Sequence, residues 1–246
     1  RIQEVVVKRG FSKEDILMED EDILVVHKHP GIAVQSARFG QMDLEHELLN
    51  YLAASQGQRG RQMPYLAVIH RLDQPVEGIL VFGKKPQAAR KLNEAMQKDR
   101  MEKIYLAVTD GKPERMEGKL VDYLKKDGKT NRSEVVSKDT PGAKRAELSF
   151  RVLETSQGPE GTRSLVQIRL KTGRHHQIRV QMAHAGMPLC GDSKYHPAAG
   201  SERGDDGLAL CACSLSFAHP RNGKQLQFQV TPEGRAFSGF SCGREK

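Results

Sequence analysis

Residues 70–85 read HRLDQPVEGILVFGKK, and no other stretch restricts the fold of this chain as tightly. Ahead of it, residues 66–69 form a short apolar run suited to a buried strand, and within it residues 78–82 form another. Polar and ionic side chains are therefore fixed between two pieces of core. Arg71 and Asp73 alternate across Leu72, so an extended backbone projects both to one side and leaves Leu72 to anchor on the other. A permanent cation beside the carboxylate favours its ionised form. An aspartate ionised at neutral pH acts as a nucleophile or base without a partner to deprotonate it. From this stretch alone, the competing reading is a structural Arg and Asp pair at a strand end.

Two later stretches keep company with the first: EKIYLAV at residues 102–108 and TGRHHQIRVQMAHAGMPLCGDSKY at residues 172–195. Taken in order, the three resemble the RluA-like family of RNA pseudouridine synthases, with similarity running from about residue 20 to about residue 237. The resemblance implies a pseudouridine synthase fold of the α+β class, a long mixed, mostly antiparallel sheet flanked by helices with the active cleft across it. It also implies a reaction that rotates a uracil base in place, exchanging its N1 glycosidic bond for one at C5 without metal or cofactor. Asp73 matches the family's catalytic acid, which either attacks the ribose or removes a proton from it. Arg179, in HQIRV, matches the basic residue that pairs with that acid and keeps it ionised in a dry pocket. Tyr105 matches the aromatic that stacks on the target base and serves in proton transfer. Arg71 matches the side chain that fills the space left when the uridine flips out. Arg174, His176 and Ile178 of the third motif are expected to bind the RNA substrate, whereas His175 sits at a more variable position. At Pro75, Val76 and Glu77 the chain departs from the small hydroxyl-bearing pair usual in the family. Glu77 places an extra negative charge near Asp73, which either narrows substrate choice or points into solvent.

Composition agrees with an anionic partner. Basic residues outnumber acidic ones 39 to 31, for a net charge of +8 and a pI near 9.3. That favours nucleic acid over membrane, because no long apolar or amphipathic cationic segment is present. Four cysteines, at 190, 211, 213 and 242, do not make a disulfide framework in a chain of 246 residues, so a reduced, cytoplasmic compartment is expected. Cys211 and Cys213 lie in an apolar run and read as buried small hydrophobes rather than metal ligands. Residues 1–22 hold no signal-peptide core, and no apolar stretch approaches the ~20 residues of a membrane span. There is no P-loop, H-E-x-x-H, G-x-G-x-x-G or pair of C-x-x-C motifs, so no metal or cofactor is expected. Residues 1–246 are read as one catalytic domain acting as a monomer, with no appended N-terminal RNA-binding domain visible.

In chain order, residues 21–28 read as a strand before a Pro30-Gly31 turn. Asp43 caps a helix with Leu44, Leu48, Tyr51 and Leu52 at helical spacing. Residues 56–61 form an exposed loop. Pro86 opens an amphipathic helix to about residue 98, with Ala88, Ala89, Leu92, Ala95 and Met96 on one face. Residues 104–109 form a strand carrying Tyr105. Residues 112–145 are poorly patterned and basic, with ten cations against six anions, and are expected to contact RNA phosphates. Residues 146–154 and 165–170 are paired strands joined by a Gly-rich turn at 158–161. Residues 172–185 are expected to be helical, with Ile178, Met182 and Ala185 sharing one face and Arg174, His175 and Arg179 left to look toward a cleft. Strands at 208–217 and 225–230 close the chain. Two rival functions compete: a glycosidase built on Asp73 and Glu77, which needs carboxylates about 5–10 Å apart, and a non-catalytic RNA-binding protein. The absence of Trp weakens the first, and the joint presence of Asp73, Tyr105 and Arg179 weakens the second.

Overall fold

Short apolar runs punctuated by Gly and Pro make this a strand-rich chain with few helices. The computed structural model describes residues 10–36, 40–55, 63–159, 161–196 and 207–243. The elements, in order, are β1 (Ile16–Glu19), β2 (Ile23–Lys28), α1 (Leu44–Ser55), β3 (Ala67–Val68), β4 (Glu77–Gly83), α2 (Pro86–Gln97), β5 (Glu102–Asp110), β6 (Glu117–Asp127), β7 (Arg132–Val136), β8 (Lys144–Gly158), β9 (Gly161–Leu170), α3 (Gln177–His184), β10 (Leu210–Ala218) and β11 (Gln225–Gln229). Contacts within the chain define two compact units, residues 1–101 with 215–230, and residues 102–214 with 231–246.

In the first unit β2 and β4 run antiparallel, with Val25 opposite Val81, and β1 and β3 add to β2 and β4 respectively. Ile23, Val25, Ile79 and Val81 share one face and meet Leu92, Met101, Leu215 and Phe217. The intervening Leu24, Val26, Leu80 and Phe82 are equally buried. Coverage on both faces explains why these runs are continuously apolar instead of alternating. Each such side chain stabilises the fold by roughly 1.5–3 kcal/mol. α1 starts as expected, its capping Asp43 accepting the His46 N–H at 2.9 Å. α2 buries Ala88, Ala89 and Leu92. A Cβ at Gly83 would lie 3.0 Å from the Ala89 backbone, so only glycine lets α2 come this close to the end of β4. The loop expected at residues 56–61 lies outside the described residues.

The second unit is a sheet in the order β5-β9-β8-β6-β7, antiparallel at every ladder. The α+β class with a mostly antiparallel sheet flanked by helices is borne out. Residues 112–145, however, are not unpatterned: most of them form β6, β7 and the start of β8. In β6 and β7 only Leu124 and Ser133 are buried. A hairpin with so little inner face carries no apolar alternation to read. The helix expected over residues 172–185 is also shorter, because His176 adopts a left-handed φ of 52° and α3 begins at Gln177. Residues 172–176 are instead a turn held by Gln177, whose Oε1 accepts from the Thr172 hydroxyl at 2.8 Å and the Arg174 N–H at 2.9 Å.

Candidate active site

Asp73 opens a tight turn between β3 and β4, its carbonyl accepting the Val76 N–H at 2.9 Å. Leu72 is the buried anchor anticipated, Arg71 is exposed and Asp73 is half-buried. A second turn clamps this one: Gly31 N–H donates to the Gln74 carbonyl at 2.8 Å, and the Gln74 amide returns a bond to the Gly31 carbonyl at 2.9 Å. Beneath both lies Lys28, only 1 % exposed. Its ammonium donates to the carbonyls of His29 (3.0 Å), Gln74 (3.1 Å) and Val76 (2.7 Å). Burial pushes the Lys28 amine down to about 7, against the opposing pull of the negative charges on Asp73 and Glu77. A single amine thus fixes the main chain just after Asp73 and sets a positive charge near its carboxylate.

Glu77 does not point into solvent. It is buried at the start of β4, and its Oε1 lies 2.8 Å from His27 Nε2. His70 is likewise structural, since its Nε2 accepts the Val81 N–H at 3.1 Å. That bond fixes a neutral ring with the proton on Nδ1.

In the second unit Arg179 and Asp192 form a buried, two-pronged ion pair, Nε to Oδ2 at 2.9 Å and Nη2 to Oδ1 at 2.8 Å. Burial alone would raise the Asp192 pKa; the Arg179 guanidinium and the N–H groups of Lys194 and Tyr195 overcome it and hold the carboxyl below its ordinary range. Tyr195 is the hub. Its hydroxyl accepts the Ser133 N–H at 2.8 Å and lies 2.7 Å from His176 Nδ1, while Arg132 and Arg179 face its ring at 5.2 and 5.3 Å. His175 stacks on His176 with ring centres 3.7 Å apart. Burial, then neighbouring cations, push the His176 pKa down to about 3 and the His175 pKa to about 4. Both rings are neutral at physiological pH.

The remaining expected residues take distinct places. Tyr105 is buried on β5 opposite Ile168. Ile178 is buried in α3, and Arg174 is exposed with its Nε donating to the Arg145 carbonyl at 3.0 Å. Lys28, Asp192 and Tyr195 were not foreseen as functional. The available signals were a lysine closing an apolar run before Pro-Gly, and an Asp and Tyr within the third motif. Asp20, Asp22 and His219 bring possible metal-ligand atoms within 4.8 Å of one another. They are already engaged, His219 Nε2 with Asp20 at 2.8 Å and Arg221 Nε with Asp22 at 2.6 Å, so the cluster ties the β10–β11 hairpin to the β1–β2 turn.

A family profile described as RNA pseudouridylate synthase matches residues 22–184, a span that contains Asp73, Tyr105 and Arg179. The chain is 34 % identical over 225 residues to the RNA pseudouridine synthase YlyB of Bacillus subtilis, covering 90 % of this chain and 70 % of that protein. It is 33 % identical over 233 residues to ribosomal large subunit pseudouridine synthase D of Vibrio vulnificus, covering 88 % and 66 %. The chain therefore spans about two thirds of the length of these curated relatives. In three dimensions it is similar to the human RNA pseudouridylate synthase domain containing 1 protein, with a TM-score of 0.72, 21 % identity, and 93 % of this chain and 86 % of that one covered. For human RNA pseudouridylate synthase domain containing 4 the TM-score is 0.69, with 22 % identity and 89 % of both chains covered.

Proposed function

This chain belongs to the RluA-like family of RNA pseudouridine synthases, and we propose that it isomerises uridines of ribosomal RNA to pseudouridine. Asp73 is the catalytic residue, attacking the ribose or removing its proton to release the base. Arg179 is the cation that keeps it ionised, and Tyr105 the aromatic that receives the base. Arg71 takes the place of the flipped uridine, and Arg174, His176 and Ile178 belong to the RNA-binding surface. The observation that carries this reading is the Asp73 turn, whose main chain is gripped by a buried lysine that also senses the carboxylate's charge. Such rigid placement of an acid serves a reacting group held to within a fraction of an ångström. A protein that only binds RNA has no use for it.

Relatives named for the ribosomal large subunit support ribosomal over transfer RNA as the substrate. A cytoplasmic setting and action as a monomer complete the proposal. The four cysteines, all thiols, suit a reducing compartment. Among the described residues no helix is long and apolar enough to cross a membrane.

The test is pseudouridine mapping of total RNA from cells with and without the gene, complemented by the intact chain or by Asp73→Asn. Loss of one or a few ribosomal sites, restored only by the intact chain, is the expected result. Restoration by Asp73→Asn would remove Asp73 from the mechanism, and a vanished site in transfer RNA would redirect the substrate.

A further inference from the structure

The second unit's sheet has two faces, and the reaction accounts for one. Tyr105 stands opposite Ile168, and Ile168 opposite Phe150, so these three side chains share a face. The alternate positions point the other way. There Lys119, Ser149 and Arg169 make one cross-strand row, and Glu117, Arg151 and Gln167 make the next. With Arg115 they line a groove of about 500 Å³ across β6, β8 and β9. Four cations against the single Glu117 give the lining a net charge of +3.

A sheet face turned only to water is most stable when charges of opposite sign oppose one another across the strands, because like charges repel. Where charges stand directly opposite, this face follows that rule, but its cations outnumber its anions. Glu117 meets Arg151 at 3.3 Å, and Arg169 pairs with Glu102 beyond the groove, yet Arg115 and Lys119 add two further cations. Neighbouring strands lie about 4.8 Å apart, so the Lys119 row spans roughly 10 Å on a rigid platform. Between the cations, Ser149 and Gln167 offer a hydroxyl and an amide, donors suited to anionic oxygens.

We propose that this groove binds the phosphodiester backbone of the substrate RNA, at nucleotides away from the reacting uridine. The inference rests on the RNA isomerase reading above and adds a second contact surface to it. Cations with Ser and Gln on a flat sheet grip phosphates and carry no base readout, so the contact favours long or folded RNA irrespective of sequence.

The experiment compares the chain with its Lys119→Gln/Arg151→Gln/Arg169→Gln and Glu117→Gln variants. Affinity for one ribosomal RNA fragment is followed by fluorescence anisotropy between about 50 and 200 mM salt, and pseudouridine formation is timed on the same RNA. The triple variant should bind roughly tenfold or more weakly at low salt, with a logarithmic salt slope shallower by about two to three. Its KM should rise while kcat at saturating RNA stays unchanged. Glu117→Gln should bind roughly threefold tighter with a slope steeper by about one, an effect that misfolding cannot imitate. Unchanged affinity and slope in both variants would overturn the proposal, as would a fall in kcat without a rise in KM. If the unaltered chain binds this RNA and forms no pseudouridine, the functional reading fails for that RNA, and the two binding slopes still decide the groove.

Discussion

The Asp73 turn of the first unit and the Arg179 cluster of the second both hold a charge away from water, and they do so by opposite means. At the turn the buried cation is a lysine, spread over three main-chain carbonyls and titrating near neutrality. In the cluster it is a guanidinium locked by a two-pronged carboxylate and surrounded by neutral imidazoles. A lysine serves where main chain must be gathered, because its three donors rotate freely to meet carbonyls in different directions. An arginine serves where one charge must persist at any working pH in one orientation. The difference predicts that the turn tolerates loss of its acid, whereas the cluster does not.

The largest expected effect comes from Asp73→Asn. Lys28 grips the carbonyls of residues 74 and 76, bonds that do not depend on the Asp73 carboxyl, so the turn should keep its shape. Turnover should fall by more than about 10³-fold while the unfolding midpoint barely moves. A large drop in stability would show that the acid supports the turn. Asp192→Asn should do the reverse and cost stability first. Arg179 would lose both prongs of its buried ion pair, a penalty of about 3–5 kcal/mol measurable by denaturant unfolding. A cost below about 1 kcal/mol would mean that water reaches the pair.

Lys28→Met should fall between these two. Three carbonyls lose their donor, while the expense of burying an ammonium disappears, for a net loss of about 2–3 kcal/mol. Because residue 76 then loses this hold and residue 74 keeps only its bonds to Gly31, turnover should fall as well. Stability loss with full activity would restrict Lys28 to folding.

Legibility from the sequence followed burial. The Asp73 stretch could be read because polar positions interrupt two apolar runs, of which the fold buries the second completely and the first in part. Lys28 sat in plain sight at the end of ILVVHK, but a charged residue there reads as the edge of a strand; only the spatial return of residues 74–76 makes it central. Glu77 was ambiguous for the same reason, since its partner His27 is fifty residues away in the chain. The β6–β7 hairpin was illegible because it buries almost no apolar face. The true start of α3 depends on the left-handed backbone of His176, whose ring bonds to Tyr195 nineteen residues on, a tertiary contact that helix periodicity cannot announce.

The smallest effect, acid sensitivity, separates the two regions most cleanly. His175 and His176 titrate at about 4 and about 3 in the folded protein, below their ordinary 6.5. Between those values the unfolded chain binds more protons than the folded one, so stability rises with pH there. Their contribution is complete above about 6.5 and is lost as pH falls toward 4 and then 3. The carboxylates held low, Asp192 among them, give up their share only below about 4, leaving the window from 6.5 to 4 to the imidazoles. His46, raised by Asp43, works in the opposite direction but is common to every variant compared. A His175→Asn/His176→Asn variant should start less stable at pH 7, having lost the stacked rings and the Tyr195 bond, and should then lose less on acidification than the parent. Thermal unfolding midpoints recorded at half-unit intervals across that window decide it. Parallel curves would mean that the rings take up protons as readily folded as unfolded, and that the cluster around Arg179 is wet.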